Sequence, residues 1–186
     1  MNLSKGTYIA LFRAVNVGGT NKLPMDPLIR ALQDMGLSGI STYIQSGNVI
    51  FQSDRADKSD LLNQIGIQIR SRFGFRPQLI LLTIDELREA ISLNPYPKSE
   101  SEPKSLHLYF LNSRPLDPDF NLLESVRSKT EQFKLIGSVF YLHAPDGIGR
   151  SKLAANVEKG LGVLATARNW RTVTQIMSMA GQTRKI

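Results

Sequence analysis

A chain of 186 residues with 41% hydrophobic and 21% charged residues has ordinary globular composition, which excludes disordered, collagen-like and membrane-spanning classes. The absence of cysteine removes disulfides, zinc–thiolate centres, iron–sulfur clusters and cysteine nucleophiles, and two histidines cannot build a three-histidine metal site. The formal net charge of +7 is uneven: from Gly147 onward seven basic residues meet one acid, Glu158, leaving +6 there and +1 for residues 1–146. Such an excess favours a phosphate-bearing or polyanionic ligand, and a merely solvated surface is the alternative.

The chain enters a strand-like run at once, without the apolar stretch and small-residue cleavage site of a signal peptide. No segment nears about 18 consecutive apolar residues, so the expectation is a cytoplasmic protein with no membrane contact. Thr7–Phe12 reads as a buried strand. Asp26-Pro27 looks like an N-cap and first-turn proline, followed by Leu28, Ala31, Leu32 and Met35 at helical spacing and a stop at Gly36. Strands at Thr42–Gln45 and Asn48–Ser53 are joined at Ser46-Gly47. A helix with Leu61, Leu62, Ile65 and Ile69 inward ends near Gly74, and Pro77–Leu82 is a further strand. Thr83-x-x-Glu86 is a capping box opening a helix with Leu87 and Ile91.

Residues 94–104 hold three of the nine prolines and no aliphatic residue, the composition of a connector. Beyond it the same order recurs. Leu106–Leu111 is a strand, Pro118–Arg127 a helix, and Gln132–Ile136 with Val139–Ala144 a hairpin around Gly137-Ser138. A helix over Ser151–Leu161, a strand over Val163–Thr166 and a helix over Asn169–Ala180 complete it. The expected fold is therefore α+β: two tandem βαββαβ plaits of the ferredoxin-like kind, each followed by an extra helix. They divide as residues 1–94, a connector at 95–104, and residues 105–186. Right-handed crossovers give each sheet the order 4-1-3-2 with both helices on one face.

Three segments carry a resemblance: residues 8–25 (YIALFRAVNVGGTNKLPM), 42–49 (TYIQSGNV) and 165–173 (ATARNWRTV). Together they resemble the bacterial "domain of unknown function 1697" family over nearly the whole chain. The resemblance implies a pair of ferredoxin-like plaits and no activity. Ala14 stands where the family usually has Gly, and Ala167 where Thr is common, so a role needing positive φ at position 14 is not expected.

Three candidate sites follow. The first is a polar rim where the loop after the first strand meets the first hairpin. It offers Arg13, Asn16, Gly18, Gly19, Asn21, Lys22, Gln45, Ser46 and Asn48 for anion recognition. The loop matches neither the Walker nor the dinucleotide-binding glycine pattern, and Asn16 and Asn48 could instead serve the turns themselves. The second is Arg150, Ser151 and Lys152 at a helix start, with Thr166, Arg168 and Asn169 expected at the same sheet end as a phosphate seat. Here Ser151 and Asn169 would alternatively be N-caps and Trp170 a core anchor. The third is a helix-free sheet face carrying His107, Tyr109, Tyr141 and His143, able to stack RNA bases or to be covered.

Binding of a small anionic ligand at the rim, or in a cleft between the halves, ranks first. RNA binding by the basic C-terminal surface is second, and an enzyme acting on a phosphorylated metabolite third. No catalytic set emerges, and the reading calls for no cofactor and no metal.

Overall fold

The computed structural model describes residues 5–16, 18 and 21–183. The residues up to Arg88, with those from Ile176 on, form one compact unit, and Glu89–Gln175 form a second. Each contains a four-stranded antiparallel sheet, and six α-helices are described in all. No helix among the described residues is long and apolar enough to cross a membrane.

The first sheet comprises β1 (Gly6–Arg13), β2 (Ser38–Tyr43), β3 (Asn48–Ser53) and β4 (Gln78–Thr83), in the order β2-β3-β1-β4. Helices α1 (Met25–Gln33) and α2 (Lys58–Phe73) lie on one of its faces. That face contributes Tyr8, Ala10, Phe12, Val49, Phe51, Leu79 and Leu81, packed with Leu28 and Leu32 of α1 and Leu61, Ile65 and Ile69 of α2. Burying side chains of this size contributes roughly 1.5–3 kcal/mol each. The opposite face, with Ile9, Leu11, Ile50 and Ile80, is equally apolar and buried.

Local chemistry sets the boundaries. Asp57 caps α2 by accepting from the backbone N–H of Ser59 and Asp60. The expected capping box opens α3 (Ile84–Ser92): Thr83 N donates to Glu86 Oε2 at 2.7 Å, and Glu86 N donates to Thr83 Oγ1 at 3.1 Å. Three expectations are corrected. Helix α1 starts from Pro24, whose carbonyl accepts from Leu28 N, and Asp26 lies inside its first turn. Leu62 faces outward, 36% exposed. Strand β2 begins at Ser38 and ends at Tyr43, because an irregularity between Ser38 and Ser41 lets an edge strand start in a polar stretch.

The second sheet comprises β5 (Leu106–Leu111), β6 (Gln132–Ile136), β7 (Val139–His143) and β8 (Ala165–Asn169), in the order β6-β7-β5-β8. Its helix-side core joins Tyr109, Leu111, Phe140, Leu142 and Ala165 to Leu123 of α4 (Phe120–Val126). Leu153, Val157 and Leu161 of α5 (Lys152–Leu161) complete it. A Cβ on Gly160 would fall 2.6 Å from the buried Leu123 side chain, so glycine there allows α4 and α5 to close. Strand β8 lies two residues later than expected, and α6 (Trp170–Thr183) follows it directly. The connector holds a 3₁₀ turn, Pro97–Ser101.

Candidate functional site

The polar rim of the first unit is built chiefly to hold itself together. Asn16 accepts from Leu23 N through Oδ1 at 2.7 Å, and its Nδ2 donates to the carbonyls of Leu23 (3.0 Å) and Gln45 (2.8 Å). Asn48, fully buried, donates to Tyr43 O at 3.1 Å and to Ser46 Oγ at 2.9 Å. Arg13 donates to Gln78 Oε1 at 2.9 Å across the β1–β4 pair, and Asn21 Nδ2 reaches Ala14 O at 3.4 Å. Gly18 has φ 60°, and Gly19 lies outside the described residues. Lys22 and Gln45 are exposed. The two loops thus meet as expected, with the asparagine amides spent on backbone.

Backbone strain gathers here. Ala14 (φ 51°), Asn16 (φ 58°), Asn21 (φ 48°) and Ile44 (φ 50°) are the non-glycine residues with positive φ among those described. Position 14 therefore does take the left-handed conformation, contrary to the expectation from its alanine. The loop imposes it: Val15 must enter the core while Asn16 N bonds to Asn21 O at 3.2 Å. The left-handed penalty of roughly 1–2 kcal/mol exceeds the extra chain entropy of glycine, about 0.5–1 kcal/mol. Ala14→Gly is accordingly expected to raise the unfolding free energy by about 0.5–1 kcal/mol, read as a higher urea midpoint at unchanged slope.

A cavity of about 660 Å³ opens in the second unit where the α4–β6 link meets the β7–α5 link. Its polar lining includes Arg127, Ser128, Glu131, Asp146, Arg150 and Lys152. The two links are clasped by Thr130 Oγ1, which donates to Asp146 Oδ2 at 2.5 Å. Arg127 is anchored by Nε to Glu124 Oε2 (2.7 Å) and by Nη1 to Glu131 O (2.8 Å). Arg150 and Lys152 are exposed and make no ion pair among the described residues. Ser151 is the N-cap of α5, accepting from Ala154 N at 2.9 Å, so its oxygen already has a structural task.

The remaining members of the expected phosphate seat lie elsewhere. Arg168 pairs with Leu108 in the sheet, so its side chain takes the face opposite the helices. There Nη1 donates to Thr166 Oγ1 and Ala167 O, both at 2.8 Å, and burial pushes the guanidinium down to about 10. Asn169 accepts from Thr172 N at 2.9 Å in the first turn of α6, and Trp170 is buried. Neither Arg168 nor Asn169 lines the cavity. Sequence reasoning missed Arg127, Ser128 and Glu131. The signal available was topological, since the link before β6 and the link after β7 end at the same edge of a βαββαβ sheet.

The aromatic sheet face is corrected by register. Tyr109 pairs with Phe140 and His107 with Leu142, whereas Tyr141 pairs with Leu108 and His143 with Leu106. The four polar aromatics are thus split between faces, because directly paired residues project to the same side. Tyr109 belongs to the helix-side core, and burial pushes its phenol well up. Tyr141 is fully buried, with its hydroxyl donating to Ala90 O at 2.7 Å, and its phenol is pushed up to about 12 by burial.

The sequence profile of a family described as "Protein of unknown function (DUF1697)" matches residues 6–141. The chain belongs to this DUF1697 family. Among solved structures it resembles one titled "The structure of conserved bacterial protein SP0830 from Streptococcus pneumoniae", with 22% identity and a TM-score of 0.74. The likeness covers 95% of this chain and 99% of that one, and it shows a shared fold. No curated protein matches the chain. The DUF1697 profile therefore includes Arg127 and Glu131 but ends before Arg150 and Lys152.

Proposed function

We propose that this DUF1697 protein binds a small phosphate-bearing anion in the cavity of its second unit, and that each unit is a ferredoxin-like plait. The plait reading is supported by the strand order β4-β1-β3-β2, its repetition in the second sheet, and the placing of two helices on one face. The binding reading rests on one observation. Two cations without ion-pair partners, Arg150 and Lys152, line an organic-ligand-sized cavity beside the start of α5, with Arg127 held in place across from them by Glu124. Ser151 takes the N–H of Ala154, and the dipole of α5 favours negative charge beside its start.

The test is isothermal titration with pyrophosphate. Wild-type protein is expected to bind it, and Arg150→Ala/Lys152→Ala to weaken binding about tenfold or more, equivalent to roughly 1.4 kcal/mol. Lys22→Ala at the other unit's rim should leave affinity unchanged. No heat of binding, or equal affinity in the double variant, overturns the reading. Binding of single-stranded RNA with a log–log salt slope near −4, the value for about six phosphate contacts, would put RNA recognition in its place.

A further inference from the structure

The cavity holds a residue that a site for a bare anion would not keep. Glu131 is 5% exposed and lines the cavity together with Arg127, Arg150 and Lys152. Its Oε2 accepts from Ser128 N at 2.9 Å, while Oε1 has no hydrogen-bond partner among the described residues. The nearby guanidinium does not neutralise it, because Arg127 gives its side-chain ion pair to Glu124 and touches Glu131 only at the backbone carbonyl. That oxygen is not among the buried polar atoms left without a partner, so it keeps accessible surface and can take a donor from solvent or from a ligand in the cavity. Asp146, by contrast, is exposed, with its Oδ2 accepting from Thr130 Oγ1.

We infer that the occupant is a hydroxyl-bearing phosphate ester, a sugar or polyol phosphate, with Arg150 and Lys152 on the phosphate and Glu131 Oε1 accepting from a ligand hydroxyl. This rests on the phosphate-binding reading above. Three cations and two carboxylates around one cavity suit a ligand with an anionic end and a donor-rich end. An inorganic anion would meet the cations and be repelled by Glu131. A volume of about 660 Å³ also exceeds the needs of phosphate alone and matches a small organic ligand. Charge-assisted hydrogen bonds of carboxylates to hydroxyls are the strong kind, so Glu131 sets selectivity while the cations set attraction.

The test compares ethyl phosphate, which has no hydroxyl, with glycerol 3-phosphate and ribose 5-phosphate by calorimetry. Wild-type protein is expected to bind ribose 5-phosphate at least about tenfold tighter than ethyl phosphate, with glycerol 3-phosphate between them. Glu131→Gln keeps an oxygen for Ser128 N and nearly the same volume. In that variant the preference for ribose 5-phosphate should collapse while ethyl phosphate binds equally well or better. Equal wild-type affinities for ethyl and ribose phosphates overturn the inference whether or not the variant folds, as does a folded Gln variant that retains the preference. If none of the three phosphates nor pyrophosphate binds, the phosphate reading itself fails.

Discussion

Gly47→Ala is expected to lower the unfolding free energy by about 3 kcal/mol, from two penalties that add. Gly47 has φ 74°, where a side chain costs roughly 1–2 kcal/mol. Its new Cβ would also lie 2.6 Å from Phe12 Cβ and 2.7 Å from Val15 Cγ2. Phe12 Cβ is fixed to the β1 backbone, which is itself tied to Gly47 by the 2.8 Å bond from Phe12 N to Gly47 O. Relief must therefore come from backbone movement, and overpacking of this kind costs about 1–3 kcal/mol. Gly18→Ala is the matched control. Gly18 also has positive φ, at 60°, but nothing among the described residues lies within 4 Å of its Cβ position, so the conformational penalty of roughly 1–2 kcal/mol is the term expected. Denaturant melts of the two variants separate the terms, and equal losses would show that the contact at position 47 carries no energy.

The same contrast between local and distant causes explains what could be read from the residues. The Thr83–Glu86 box was legible because both partners lie within one turn, and β5 because Leu106–Leu111 is an unbroken apolar run. Strand β2 runs over Ser38–Tyr43 and not over the expected Thr42–Gln45, because Ser38 and Gly39 carry no apolar alternation and become strand through the pairing of Ser38 with Gln52. In β5 and β7 the alternation was read correctly within each strand. The pairing of Leu106 with His143 is a long-range choice, and one residue of register moves every side chain to the other face. The candidate site failed and succeeded on similar grounds. Arg150 and Lys152 flag a helix start, a local signal, whereas Arg127 and Glu131 join them only because two links meet in space.

Asn16 draws the second large prediction, because it looked like a ligand-binding amide and is a bracket between loops. Asn16→Ala removes the acceptor for Leu23 N and the donors to Leu23 O and Gln45 O. Leu23 is fully buried, so its N–H loses its partner in a place where water enters poorly, at about 1–3 kcal/mol. Alanine is also less at ease than asparagine at φ 58°. A loss of about 2–3 kcal/mol is expected, with pyrophosphate affinity in the second unit unchanged. Asn16→Asp sharpens the assignment. It preserves the acceptor for Leu23 N, but its second oxygen would face two carbonyls, which raises its pKa above the usual carboxylate value of about 3.9. A raised folded pKa means that stability is retained below the unfolded value and lost as pH rises through the folded one. The Asp variant should therefore be least stable near neutral pH and recover toward pH 4, relative to the parent protein at each pH. A pH-independent deficit would mean that Nδ2 does not face those carbonyls in solution, and the rim would again be open to a ligand.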